Sequence, residues 1–151
     1  MITFTKIDLP YGWLGNMSRH SILYGEETWR SSEALFQSLR FNDFEIKRQI
    51  NQEKSPFRAK LIAKKNREKM VVEPKSIQDL KNMYLCLKLK IEQHPQLKEE
   101  LISTSDEKII EDVTKRPSGN NLFWGMALIN DVWVGENNLG NLWMKLRSEL
   151  L

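Results

Sequence analysis

The stretch that decides the fold is TWRSSEALFQSLRF, residues 28–41. Ser31 or Ser32 can cap a helix there, because a serine hydroxyl accepts a hydrogen bond from an unpaired backbone N–H of the first turn. In that helix an acid, a ring, an amide and a guanidinium share one face: Glu33, Phe36, Gln37 and Arg40. Since burying an unpaired charge is costly, this polar face is paired, solvated or directed at a ligand.

Size and composition predict one globular domain over residues 1–151, with 40% hydrophobic and 28% charged residues. The sequence has no apolar run of about 18 residues and no signal-peptide pattern at its N-terminus. Cys86 has no partner for a disulfide, and its place in a periodic apolar segment predicts core packing. We therefore expect a cytoplasmic protein with no membrane partner. His20 and His94 lie far apart in sequence and no Cys/His cluster has metal-ligand spacing, so we predict no metal site.

The net charge is only +3, from 23 basic and 20 acidic residues. This balance is not typical of a protein that coats nucleic acid. Basic side chains are nevertheless concentrated between Lys54 and Lys75. Two interpretations stay open for this segment: a solvated helix face, or an anion-binding rim for phosphates.

Hydrophobic periodicity predicts a mostly helical α+β fold with a few short strands near both ends. We expect strands at Ile2–Ile7 and Lys108–Val113, and a hairpin of Ser21–Tyr24 with Glu27–Trp29. Polar residues Lys115–Asn121 predict a loop.

Helices are expected over residues 44–51, from Ser55-Pro56 onward, after Ser76, and at the C-terminus from Leu139 onward. In the longest helix, which Ser76 can cap, the predicted core stripe is Ile77, Leu80, Tyr84, Leu87 and Ile91, widened by Met83 and Cys86.

A Gly-rich loop, residues 11–17, lies between the first strand and the hairpin. Asn16 in this loop offers both a donor and an acceptor to a base or a ribose. Alternatively, Asn16 stabilises the turn beside Gly15.

These segments together resemble the NADAR (NAD- and ADP-ribose-associated) family, the YbiA-like N-glycosidases. The family signature Trp-x-Thr-x-Glu-His-x-Phe-Gln-x-x-Lys-Phe is matched at Trp29, Glu33, Phe36, Gln37 and Phe41. A second segment is matched at Gly12, Leu14 and Asn16. The C-terminal pattern is matched in order at Glu111, Phe123, Trp124, Gly125, Gly135, Asn137, Leu139, Gly140, Met144 and Arg147. The resemblance spans nearly the whole chain.

The resemblance implies cleavage of an N-glycosidic bond at a ribose carbon, without a metal or redox cofactor. Similar proteins act on ribosylamino-pyrimidine phosphates of the early riboflavin pathway, or remove ADP-ribose from guanine in nucleic acid. The implied partner is therefore a phosphorylated ribosyl or ADP-ribosyl ligand, with ADP-ribosylated nucleic acid as one form of it.

Such a reaction passes through an oxocarbenium-like sugar, which a carboxylate stabilises while it orients water. Glu33 is our first candidate for that carboxylate and Glu111 the second. Trp124 is expected to stack on a base, or else to fill the core. The predicted substrate-binding set is Asn16, Trp29, Gln37, Asn121, Trp124 and Asn137. Arg147 is expected to have a structural role, paired with a core carboxylate.

Three ionisable residues of the family pattern are replaced in this sequence. Ala34 replaces the His, Arg40 replaces a Lys, and Asn121 replaces the Asp before Phe-Trp-Gly. We include Arg40 in the predicted catalytic set, although a guanidinium stays protonated and cannot readily form a Schiff base as an amine can. An amide such as that of Asn121 cannot act as a general base. A second hypothesis is therefore a non-catalytic module that binds ADP-ribose or NAD and has lost cleavage.

Overall fold

The computed structural model describes all 151 residues and has an α+β, mostly helical fold, as predicted. None of its helices is both long enough and apolar enough to cross a membrane. Short 3₁₀ turns occupy Gly12–Leu14 and Arg67–Lys69. In chain order the other elements are β1 (Ile2–Phe4), β2 (Ile22–Tyr24), β3 (Glu27–Trp29), α1 (Ser32–Ser38), α2 (Phe44–Gln52), α3 (Pro56–Lys65), α4 (Ile77–Gln93), α5 (Pro95–Ser103), β4 (Ile109–Glu111), α6 (Gly119–Trp124), β5 (Ala127–Ile129), β6 (Val132–Val134) and α7 (Asn138–Glu149).

The chain divides into two compact units. The central unit is the continuous segment Asn16–Pro95. The terminal unit combines Met1–Gly15 with Gln96–Leu151.

The central unit contains the predicted hairpin, β2 with β3, and the first four helices. Each of these helices has an N-cap residue, whose side-chain oxygen accepts a hydrogen bond from an otherwise unpaired backbone N–H of the first turn. Ser31 Oγ accepts from the Ala34 N–H at 3.1 Å, so Ser31 rather than Ser32 caps α1. The caps of α2, α3 and α4 are Asp43, Ser55 and Ser76.

The predicted apolar stripe of α4 is confirmed in part: Met83, Cys86, Leu87 and Ile91 are buried, and Leu80 and Tyr84 are half-buried. Ile77, which opens the helix, is 75% exposed, so its predicted place in the core is wrong. The buried residues of α4 include two charged ones, and the full set is Asp79, Met83, Cys86, Leu87, Lys90 and Ile91. The prediction missed the two charged residues because an apolar count ignores charged side chains, which are buried wherever partners satisfy them.

The terminal unit holds the parallel pair of β1 and β4, in which Ile2 lies opposite Ile109 and Phe4 opposite Glu111. Both predicted strands are confirmed but shorter. The turn between β5 and β6 has positive φ at Asn130 and Asp131, as a two-residue hairpin turn requires.

One expected loop is partly helical. Residues 119–121, inside the predicted Lys115–Asn121 loop, form the first turn of α6. The Asn121 and Leu122 N–H groups donate to Ser118 O, which starts the helix despite its polar sequence.

Candidate functional site

The predicted polar face of α1 exists in the central unit. Gln37 Nε2 donates to Glu33 Oε1 at 2.9 Å, one helical turn away. Arg40 Nη1 in turn donates to Gln37 Oε1 at 3.1 Å. Arg40 lies just beyond the end of α1, and its guanidinium stacks on the Phe36 ring at 4.6 Å. The four side chains that the sequence placed on one face are therefore linked in series, from Glu33 through Gln37 and Arg40 to Phe36.

Asp79 completes this cluster, and the sequence analysis missed it. Its two carboxylate oxygens accept from Arg40 Nε at 2.9 Å and from Arg40 Nη2 at 2.7 Å. Asp79 is fully buried on α4 and also accepts from the Lys75 N–H at 2.9 Å. A helical spacing with Met83 and Cys86 could have placed Asp79 on the buried face, but only the fold reveals its partner.

Glu33 is buried, with 7% of its surface exposed. Its backbone N–H donates to Asn16 O at 3.0 Å. Burial and the carboxylates of Glu33 and Asp79 raise the pKa of the Cys86 thiol, which stays protonated. Cys86 is fully buried, as its predicted packing role requires.

Asn16 binds to the first turn of α1 and to α4. Its backbone and side-chain oxygens accept from Ser32 Oγ at 3.0 and 3.3 Å, and its Nδ2 donates to Met83 Sδ at 3.1 Å. These contacts give Asn16 a structural role, but they join it to two helices rather than to the turn beside Gly15. Its contact with substrate stays a prediction.

Trp29 ends β3 and is 4% exposed. Its indole Nε1 is buried and has no hydrogen-bond partner. A buried, unpaired donor costs free energy, so a ligand atom that accepts from Nε1 would recover it.

A second buried cluster lies at the other end of α4. Lys90 Nζ donates to Ser18 Oγ at 2.7 Å, and the His20 ring nitrogen Nδ1 lies 3.0 Å from the same hydroxyl. The rings of His20 and His94, distant in sequence, meet edge to face at 5.1 Å. Burial lowers the pKa of Lys90 to about 7. Burial, together with the charges of Lys90 and His94, lowers the pKa of His20.

In the terminal unit the structure brings Glu111 and Asn137 together. Asn137 Oδ1 accepts from the Glu111 N–H at 3.1 Å, and Asn137 Nδ2 donates to Ile109 O at 2.9 Å. Both ends of this amide thus bind the backbone of β4. Asn137 therefore has a structural role, and its predicted contact with substrate stays a prediction.

Trp124 and Asn121 lie on α6 in the same unit. Trp124 is buried and meets the Phe123 ring edge to face at 4.9 Å. Asn121 Nδ2 donates to Arg116 O at 2.9 Å. Gly125 ends the helix where a Cβ atom would lie 2.5 Å from Glu111 O, so only glycine fits this approach.

Arg147 on α7 is buried and structural, but its partners differ from the expected carboxylate. Nη1 donates to Thr104 Oγ1 at 2.9 Å and to Glu107 O at 2.8 Å. Both of these acceptors are neutral oxygens from the segment that precedes β4.

The chain is similar to known proteins over nearly its whole length. N-glycosidase YbiA of Escherichia coli strain K12 is 29% identical over 152 residues, covering 99% of this chain and 88% of YbiA. The chloroplastic riboflavin biosynthesis protein PYRR of Zea mays is 30% identical over 165 residues, which include this whole chain but only 25% of the maize protein. The NMR structure of Escherichia coli YbiA matches with a TM-score of 0.82 and 29% identity, over 99% of this chain and 83% of that one. The NADAR domain profile matches residues 3–151. The chain therefore belongs to the NADAR family.

Proposed function

We propose that this protein is an N-glycosidase that hydrolyses the N-glycosidic bond of a phosphorylated ribosyl or ADP-ribosyl compound. The substrates proposed are ribosylamino-pyrimidine phosphates of the riboflavin pathway and ADP-ribosylated guanine. The observation that carries the proposal is the buried Glu33 carboxylate, fixed by Gln37, in a chain of the NADAR family. The similarity to the N-glycosidase YbiA supports the reaction class, and the similarity to the riboflavin biosynthesis protein PYRR supports a substrate from the riboflavin pathway.

The geometry of Glu33 suits such a reaction. Gln37 Nε2 holds Oε1, while Oε2 can orient a water molecule or stabilise the positive sugar. The C1′–N bond breaks with its electron pair going to the base nitrogen, which takes up a proton. Water adds to C1′ and loses a proton, so the products are the free base and the free ribosyl compound.

Chromatographic detection of the free base tests this proposal. Three compounds are incubated with the protein: a ribosylamino-pyrimidine phosphate, guanine-ADP-ribosylated DNA, and NAD. We expect wild type to release base from one of them, and Glu33→Gln to lower turnover by about 100-fold or more. The matched control is Glu45→Gln, which removes an exposed carboxylate on α2. Unchanged turnover by Glu33→Gln would overturn the assignment.

A second candidate function is binding of ADP-ribose or NAD without cleavage. The observation that favours it is Arg40, whose guanidinium pairs with Asp79 where the family has a lysine amine. Calorimetric binding of ADP-ribose without base release from any compound would support this candidate. In that case Arg40→Lys, which restores the amine, is expected to restore cleavage.

A further inference from the structure

We propose that the buried Asp79–Arg40 ion pair is a positioning device for Glu33 and acts through the side-chain amide of Gln37. The inference deepens the proposed function, on which its kinetic readout rests. It assigns Asp79 a role and makes Arg40 a positioning residue rather than a catalytic one.

The first link fixes the guanidinium. Asp79 accepts two hydrogen bonds from Arg40, one at each carboxylate oxygen, and both side chains are buried. A two-point contact between two planar groups sets the orientation of the guanidinium as well as its position. The Phe36 ring covers one face of it.

The second link fixes the amide. Arg40 Nη1 is a donor, so the Gln37 atom 3.1 Å from it must be the carbonyl oxygen Oε1. A flipped amide would place the NH₂ group of Gln37 against the guanidinium, donor against donor. Arg40 therefore forces Gln37 Nε2 to face Glu33.

The third link fixes the carboxylate. Gln37 Nε2 donates to Glu33 Oε1 at 2.9 Å, and Gln37 is only 3% exposed. With one oxygen held, the plane of the carboxylate and the place of its second oxygen are set before substrate binds. Asp79 thus controls Glu33 without touching it.

The series of contacts from Asp79 through Arg40 and Gln37 to Glu33 is called the relay below. Kinetic measurements on a double-mutant cycle test it. We expect Asp79→Asn to lower kcat by about 10- to 100-fold, because the catalytic group is misplaced. KM should change by less than about twofold, since Asp79 does not touch substrate. Gln37→Met should have a similar effect, and adding Asp79→Asn to it should lower kcat no further. Losses in kcat that multiply in the double variant would overturn the relay.

The matched control is Glu45→Gln. Glu45 accepts from Arg48 Nε and Nη2 in the same two-point manner, but this pair is exposed and contacts neither Gln37 nor Glu33. Its loss should leave kcat and KM unchanged.

Arg40→Lys is the second variant, since Asp79→Asn leaves a buried cation unpaired and can unfold the protein. Lysine keeps the charge beside Asp79 but has no planar fork to hold Asp79 and Gln37 together. The relay predicts that Arg40→Lys lowers kcat. The second candidate function, in which the protein has lost cleavage because it lacks the lysine amine, predicts that Arg40→Lys raises kcat.

The NMR signals of the Gln37 side-chain amide in ¹⁵N-labelled protein need no substrate. We expect Asp79→Asn and Arg40→Lys to shift these signals and to speed their hydrogen exchange, and Glu45→Gln to leave them unchanged. Failure of the wild-type protein to release base would overturn the proposed function. The Gln37 amide signals would still show whether Asp79 and Arg40 fix the Gln37 side chain. Unmoved Gln37 signals in both variants would overturn the relay.

Discussion

Lys90 lies fully buried on α4, with its ammonium nitrogen 2.7 Å from Ser18 Oγ. Because burial lowers its pKa to about 7, the folded protein releases this proton at a lower pH than the unfolded chain, where a lysine titrates near 10.4. Between these two values the unfolded state binds more protons, so the free energy of unfolding rises with pH. Below about pH 7 Lys90 is protonated in both the folded and the unfolded state, so its contribution to the free energy of unfolding is constant.

Lys90→Met should remove this pH dependence. From pH 7 to 8.5, we expect the free energy of unfolding of wild type to rise, relative to that of the variant, by up to about 1.4 kcal/mol per pH unit. Urea unfolding at several pH values measures it. The measurements end at pH 8.5 because the Cys86 thiol ionises near that pH in the unfolded chain and would add a pH dependence of its own. Lys88→Met, at an exposed position on the same helix, should keep the wild-type slope. Equal slopes for wild type and Lys90→Met would contradict the buried lysine.

Trp29 and Trp143 offer a comparison of two buried indoles. Trp29 Nε1 has no partner, whereas Trp143 Nε1 donates to Leu14 O at 2.9 Å. Changing each to Phe removes similar apolar area, but only Trp143→Phe leaves a buried acceptor unpaired. We expect Trp143→Phe to cost about 1–3 kcal/mol more than Trp29→Phe in chemical denaturation.

Trp29→Phe also tests the predicted substrate contact. If a ligand accepts from the indole N–H, KM for that ligand rises while stability hardly changes. An unchanged KM would remove Trp29 from the binding set.

Among the secondary-structure elements, helices with a local cap were predictable and buried charges were not. Ser55 and Ser76 predict the starts of α3 and α4, because a cap residue and the helix that it starts are adjacent in sequence. The partners of Asp79 and Lys90 lie 39 and 72 residues away. No local pattern shows such a partner, so sequence reasoning placed Ile77 in the core and left Asp79 out of the site.

The turn before α7 depends on Asn137 in a similar way. Asn137 has a φ of 55° and its amide binds β4 at two backbone atoms. We expect Asn137→Ala to lower the free energy of unfolding by about 3 kcal/mol, because it leaves the Glu111 N–H and Ile109 O unpaired and strains the backbone. Thermal and urea unfolding measure this change.

Asn141→Ala is the control for that change. Asn141 Nδ2 donates to Glu136 O at 3.1 Å, but the contact is exposed. Its loss should change the free energy of unfolding by less than about 0.5 kcal/mol. Equal losses for the two variants would contradict the structural role of Asn137.

For the whole molecule, the sequence predicted the fold class and the family, because the NADAR motifs extend along nearly the entire chain. Helical spacing predicted that Glu33, Gln37 and Arg40 share one face, and the structure shows Gln37 in contact with both of the others. The sequence did not predict that Asn137 is engaged by β4, because that depends on a strand 28 residues earlier.

The distribution of charge along the molecule also bears on function. Most cations between Lys54 and Lys75 are exposed, and Arg67 is paired with Glu73. If this segment attracts phosphates, KM for a phosphorylated substrate rises between 10 and 200 mM salt while kcat stays constant. We expect this rise to weaken in Lys64→Gln/Lys65→Gln and to be absent for an analogue without phosphate. A salt-independent KM would favour the solvated helix face.

The order of the two units along the chain has a consequence for synthesis. The central unit is continuous, so all of its residues have left the ribosome once Pro95 has emerged. The terminal unit is completed later, because β1, which precedes the central unit in sequence, must pair with β4, which follows it. Until Ile109 is made, the edge of β1 offers unpaired backbone groups to whatever strand comes near. β1 therefore remains without its partner strand until β4 has been synthesised, and we expect chaperones that bind the nascent chain to concentrate at β1.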